Sequence, residues 1–99
     1  MASTPWLLAV GLLQFSPDAT QAERARGRIA LSLMAVSQGY ALVEAFETDG
    51  DAVKDAAALA HLEELAVELD AVALIHSGTV DMTAARAVAD RARLVLVEA

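Results

Sequence analysis

The amino-acid sequence predicts an α/β fold, a small open three-layer α/β/α sandwich around a four-stranded parallel sheet. Four short apolar runs alternate with three longer segments in which apolar residues recur at helical spacing. This alternation is typical of parallel strands that are joined by crossover helices. A chain of 99 residues has the length of one domain rather than two, so residues 1–99 are predicted to form a single domain.

The first strand is predicted at residues 6–15, because this run is continuously apolar, as in a strand covered on both faces. The next three residues predict the start of the first helix. Ser16 is expected to be the N-cap, with Pro17 at the first helical position and Asp18 at the positive end of the helix dipole.

The first helix is predicted to run to about residue 37, with Gly39 as its C-cap. Its larger apolar residues recur at helical spacing and predict the main apolar stripe of the helix. That stripe consists of Ile29, Leu33, Val36 and Tyr40.

The second strand is predicted at residues 41–47, and a polar turn at 48–51 leads into a second helix at 52–69. Asp49 or Asp51 is expected to cap this helix. One side of the helix carries an apolar stripe, and three glutamates lie away from it. The stripe is Leu59, Leu62, Ala66 and Leu69, and the glutamates are Glu63, Glu64 and Glu68.

The third strand is predicted at residues 71–76 and is followed by a short polar loop. A third helix is expected at about 81–92, with Asp81 as its cap. Residues 93–97 are predicted to form the fourth strand.

The apolar run at residues 6–13 does not have the features of a secretory signal. Residues 1–5 carry no basic side chain, and residues 14–16 do not form a small-residue cleavage site. The run is also too short to span a bilayer. The sequence therefore predicts a cytoplasmic protein with no membrane contact.

Charge and composition exclude several classes of function. The chain carries a formal net charge of −7, whereas a free-standing nucleic-acid binder is usually basic, so direct nucleic-acid binding by this chain alone is not expected. The absence of cysteine excludes disulfides, thiolate metal sites and cysteine nucleophiles. One lysine, six arginines and no asparagine form a bias that is typical of GC-rich genomes.

The carboxyl ends of the strands are the usual ligand site of an open α/β sheet, and here they carry mainly acidic and hydroxyl side chains. These residues are Ser16, Asp18, Glu47, Asp49, Asp51, His76, Ser77, Thr79, Asp81 and Glu98. Such a set could hold a divalent cation or a small ligand. Helix caps and turns explain the same acids, and no glycine-rich phosphate loop is present. No cofactor and no metal ligand set is predicted.

Histidines and arginines supply the other candidate groups. Neither His61 nor His76 has a second ligand at metal spacing, although His76 could assist Ser16 if strands one and three are neighbours. A packed or half-exposed histidine is the favoured interpretation of both. The first helix also carries a cluster of arginines, which favours a solvated face over a phosphate site. These are Arg24, Arg26 and Arg28.

Four segments of the chain have motifs in the order and spacing of one known family. Residues 10–18 read VGLLQFSPD, residues 39–50 read GYALVEAFETDG, residues 70–75 read DAVALI and residues 93–97 read RLVLV. Together they resemble the catalytic domain of the serine recombinases (the resolvase and invertase family). That family has V-G-Y-x-R-V-S-T-D, G-Y-x-L-V-E-x-F-x-D-x-G, D-x-V-V-V and V-R-L-V in the corresponding segments. The resemblance implies strand order 2-1-3-4 and places Ser16 on the nucleophile.

The same comparison shows departures at the positions that a recombinase needs for catalysis. Gln14 stands where the family has an arginine, and residues 75–81 contain none of the arginines of the family's L-D-R-L-x-R segment. Recombination needs several guanidinium groups to neutralise the scissile phosphate. The resemblance therefore implies a catalytically inactive domain that acts as a protein-interaction or homodimerisation module, in a process that could be linked to DNA through a partner. Ser16 is then better explained as an N-cap.

Two alternative functions stay open from the sequence. One is a minimal serine recombinase or nuclease that uses Ser16 as its nucleophile. The other is a domain that binds a small ligand or a divalent metal at the carboxyl ends of the strands.

Strand order 2-1-3-4 also predicts an uncovered surface. Right-handed crossovers place the first helix on one face of the sheet and the other two helices on the opposite face, so strands three and four are left open on the first-helix side. Both faces of these strands are apolar, and the fourth strand is an edge strand without a proline or a charge inside it. A second copy or an unidentified protein is expected to bind there. The predicted interface residues are Leu31, Met34, Val72, Leu74, Leu94 and Leu96, with Ala35 as a further candidate on the first helix.

Overall fold

A computed structural model describes residues 7–99, in which strands and helices alternate along the chain. The elements are β1 (Leu7–Gln14), α1 (Gln21–Ser37), β2 (Tyr40–Thr48), α2 (Ala52–Glu68), β3 (Ala73–His76), α3 (Met82–Ala92) and β4 (Val95–Glu98). All strand pairs are parallel and the order is β2-β1-β3-β4, so the predicted fold class and strand order are confirmed. Trp6, which was predicted to open the first strand, lies outside the described residues.

Alternate side chains of β1 enter two separate apolar cores. Val10 and Leu12 point to the face covered by α2 and α3, where Leu62 is fully buried. Ala9 and Leu13 point to the face covered by α1. Because both faces of the strand are buried, β1 is apolar at nearly every position, as expected for a central parallel strand.

The predicted caps of the second and third helices are confirmed. The Asp51 carboxylate accepts the N–H groups of Val53 and Lys54, each at 3.1 Å, and so satisfies the free donors at the start of α2. Asp81 caps α3 in the same way. Gly39 follows the end of α1 with a φ of +88°, a conformation that glycine adopts without strain.

The start of α1 differs from the prediction, because its N-cap is Thr20 and not Ser16. The Thr20 hydroxyl accepts the N–H of Glu23, and the Glu23 carboxylate accepts the N–H of Thr20, both at 3.1 Å. This capping box satisfies two donors at once, whereas the hydroxyl of Ser16 only accepts the N–H of Asp18 within a turn. The backbone N–H and the hydroxyl of Thr20 hold the pKa of Glu23 below its ordinary value.

The side of α1 that packs on the sheet is also not the predicted one. Leu31 and Ala35 are buried against the sheet, whereas three of the four residues of the predicted stripe face solvent and the fourth, Tyr40, packs beside the α1 core. Ile29 is 60 % exposed, Leu33 is 66 % exposed and Val36 is 55 % exposed. We call these three residues the outer stripe.

Two glycines explain this orientation of α1. A Cβ at Gly11 in β1 would lie 2.6 Å from Leu31 Cδ2, and a Cβ at Gly27 in α1 would lie 2.7 Å from the Phe15 ring. Both glycines therefore leave room for a neighbouring side chain between α1 and the sheet. The helix packs with the side that carries Gly27, Leu31 and Ala35, and Ile29, Leu33 and Val36 remain on the outside.

This orientation predicts that replacing two neighbouring leucines changes the free energy of unfolding by very different amounts. Leu31→Ala should lower the free energy of unfolding by about 2–5 kcal/mol, because it removes a buried side chain from the core. Leu33→Ala should change it by less than about 0.5 kcal/mol. Urea unfolding followed by circular dichroism, at a concentration where the chain is monomeric, measures both. A larger loss for Leu33→Ala than for Leu31→Ala would show that the helix is rotated.

Candidate functional site

A small cavity of about 70 Å³ lies at the carboxyl edge of the sheet, where an open α/β fold usually binds its ligand. It is lined by Leu12, Gln14, Thr48, Asp55, Leu59, Asp81 and Ala84. The Thr48 hydroxyl lies in hydrogen-bond contact with the Leu13 carbonyl and the Gln14 side-chain oxygen. The polar groups of β1 and β2 at this edge therefore bind each other.

The acidic residues near this edge are engaged by the backbone. The Asp55 carboxylate accepts the N–H of Asp49 at 3.0 Å and the N–H of Gly50 at 2.9 Å, which closes the loop between β2 and α2. Asp51 and Asp81 cap the two helices that begin here. Within residues 7–99, no group of three or more histidine, aspartate or glutamate side chains is placed to hold a metal ion.

Neither His61 nor His76 forms a catalytic pair with Ser16. His76 is 2 % exposed, and its Nδ1 lies 2.9 Å from the Ser77 carbonyl oxygen. Strands β1 and β3 are neighbours, as a Ser16–His76 pair would require, but the Ser16 hydroxyl hydrogen-bonds to the Asp18 N–H instead. His61 lies on the exposed side of α2.

Two of the clustered arginines hold α1 to the edge strand β2. The Arg24 and Arg28 guanidinium groups both donate to the Glu47 carboxylate, with Arg24 Nη1 3.0 Å from Glu47 Oε1. Arg24 also lies 5.3 Å from the Phe15 ring centre and donates to the Ser16 carbonyl oxygen at 3.3 Å. A phosphate at this position would have to displace Glu47.

Sequence reasoning did not find this role of Glu47. The signal was present, because Arg24 and Arg28 are four residues apart and therefore lie on one face of a helix. The partner could be identified only once β2 was known to lie beneath that face.

The structure corrects three of the predicted interface residues. Leu31 and Leu74 are fully buried in the two cores, and Leu94 is 8 % exposed, so these three are wrong as surface contacts. Leu96 is half-buried beside the α2–α3 core and stays a prediction. Because side chains alternate along a strand, Leu74 and Leu96 point to the face that α2 and α3 cover.

The remaining two predicted interface residues are partly accessible. Val72 is 38 % exposed at the amino end of the sheet, and Met34 is half-buried on α1. Neither is a large exposed apolar surface by itself.

The open half of the sheet exists, but other residues form it. Val95 and Val97 of β4 have the parity of the α1 face, where Val97 packs beside the α1 core and Val95 is 61 % exposed. We call these two residues the open strand patch. The outer stripe and this patch both expose apolar side chains on the α1 side of the sheet.

The search for relatives adds no further constraint, because no protein family, curated protein or solved structure matches the chain. In residues 7–99, no helix is both long enough and apolar enough to cross a membrane.

The carboxylates of Asp51, Asp55 and Asp81 already accept backbone N–H groups. We therefore expect that small ions do not bind at this edge and do not stabilise the fold. A ligand present at 100 times its dissociation constant would add about 2.7 kcal/mol, which is a shift of several degrees in Tm for a domain of this size. We expect no such shift with Mg²⁺ or inorganic phosphate in differential scanning fluorimetry. A rise in Tm that saturates with ion concentration, and that Asp55→Asn abolishes, would contradict this interpretation of the edge.

Proposed function

We propose that this domain is a non-catalytic, recombinase-like interaction module that associates with a second copy of itself. The observation that carries the proposal is the set of exposed apolar residues on the α1 side, where three residues of one helix and one of the edge strand are more than half exposed. Apolar side chains that share one side of a helix and remain in solvent favour an interaction site.

Charge favours the α1 side over the other exposed apolar residues. Val53 and Val67 on α2 are also exposed, but this helix carries Glu63, Glu64 and Glu68 on a chain of net charge −7. Two such acidic surfaces would repel each other. The segment of α1 instead contains three arginines and one glutamate.

The surroundings of Ser16 support the non-catalytic part of the proposal. Among the described residues, no histidine, lysine or carboxylate side chain hydrogen-bonds to the Ser16 hydroxyl, and Arg24 is tied to Glu47. A nucleophilic serine needs a base or a charged neighbour to activate it. The strand order is the one that the recombinase resemblance implies, which supports a recombinase-like origin for the domain.

Self-association predicts a mass that depends on protein concentration. In sedimentation equilibrium, the average mass should rise from 10.3 kDa toward twice that value as the concentration increases. Because the exposed patch is small, the association should be reversible on dilution. A mass of 10.3 kDa up to the highest soluble concentration would overturn the proposal.

The absence of a free guanidinium at Ser16 predicts that the domain has no DNA-cleaving activity. Supercoiled plasmid DNA should stay supercoiled with the wild-type chain and with Ser16→Ala, in the presence or absence of Mg²⁺. Gel electrophoresis measures this directly. Relaxation or nicking by the wild-type chain that is lost in Ser16→Ala would favour the enzyme alternative.

A further inference from the structure

We infer that two copies of this chain pair through the outer stripe of α1, with the two helices antiparallel. The inference deepens the proposed self-association and rests on it. It assigns the contact to one helix surface and one register.

The outer stripe belongs to a longer row with the spacing of a helix-pairing seam. Its five positions are separated by four, three, four and three residues, which is the repeat of a two-helix interface. They are Ala22, Arg26, Ile29, Leu33 and Val36. All five are exposed and lie on the opposite side of α1 from Leu31 and Ala35.

Small side chains flank this row along α1. Ala25 and Ser32 lie on one side of it, and Ala30 and Ser37 lie on the other, with Glu23 on that side at the first turn. Small flanking residues allow two helix backbones to approach closely enough for the larger apolar residues to interlock. A solvent-facing helix surface normally carries long charged side chains instead.

Charge favours a second copy at this surface. Glu47 pairs with Arg24 and Arg28 on the inner side of α1, so Arg26 is the basic residue that remains in the outer row. The row contains no carboxylate, although the chain is strongly acidic. The outer rows of two copies can therefore meet without bringing carboxylates of the rows together.

Arg26 also determines the direction of pairing. Parallel helices would place the two Arg26 side chains of the dimer opposite each other, which is unfavourable. Antiparallel helices place each Arg26 beside Val36 of the second copy, at the last turn of its α1. That turn has no basic residue to balance the negative end of the helix dipole.

One register pairs four of the five positions of the row, from Arg26 to Val36. When the two-fold axis passes at the level of residue 31, Ile29 lies opposite Leu33 of the second copy, and Leu33 lies opposite its Ile29. A two-fold contact of this kind closes on itself and gives a dimer rather than a filament.

Cysteine cross-linking tests the register, because the chain has no cysteine of its own. Ile29→Cys and Leu33→Cys chains, one of them labelled with ¹⁵N, are mixed and oxidised. Mass spectrometry should find the mixed disulfide at several times the yield of either homodimer. Residues 29 of the two copies would be offset by four residues, about 6 Å along the axis, which is unfavourable for a disulfide.

Matched controls separate the possible outcomes. Val53→Cys, on exposed α2, should cross-link no more than expected from random collision. Leu33→Glu should abolish the rise of the average mass with protein concentration, whereas Val95→Lys should leave that rise unchanged. If the disulfide-linked homodimers of Ile29→Cys and of Leu33→Cys formed in higher yield than the mixed disulfide, the two helices would be parallel. That result would overturn the antiparallel register.

Two further outcomes distinguish this inference from the proposed function. Loss of the dimer in Val95→Lys but not in Leu33→Glu would move the contact to the open strand patch, so the inference would fail while self-association would stand. A wild-type chain that stays monomeric would overturn both.

Discussion

The structure depends on the close packing of α1 against β1. A Cβ at Gly11 would meet the Leu31 side chain and a Cβ at Gly27 would meet the Phe15 ring, so both glycines leave room for those side chains between helix and sheet. Glu47 holds the same side of the helix through Arg24 and Arg28. Because the side with Leu31 and Ala35 is the inner side, Ile29, Leu33 and Val36 remain exposed.

Much of the fold could be predicted from the sequence, because the relevant signals are local. The continuous apolar run of β1 indicated a central strand, and Asp51 and Asp81 marked the starts of two helices. The rotation of α1 could not be predicted in this way, because both sides of the helix carry apolar residues at helical spacing. Contacts with distant residues of the sheet decide that Leu31 and Ala35 are the buried ones. Thr20 was overlooked as the N-cap because Ser16 and Pro17 formed a stronger local pattern than the capping box four residues later.

The candidate surface was predictable in outline but not residue by residue. Strand order and crossover handedness indicated an open half of the sheet on the α1 side, and the structure has that open half. Leu74 was assigned to it wrongly because the side chains of a strand alternate, so Leu74 and Leu96 point to α2 and α3 while Val95 points to the open side. Asp49, Asp51 and Asp81 at the carboxyl edge show the opposite case, since a turn and two helix caps account for them without a ligand.

The orientation and pairing of α1 can be tested together by the rate at which a single introduced thiol reacts with a labelling reagent. The Leu31→Cys thiol should be protected at every protein concentration, because residue 31 lies in the core. The Leu33→Cys thiol should react rapidly in dilute solution and more slowly as the concentration rises and the copies pair. A Leu33→Cys thiol that is protected even at high dilution, or one whose reactivity never changes with concentration, would contradict this account.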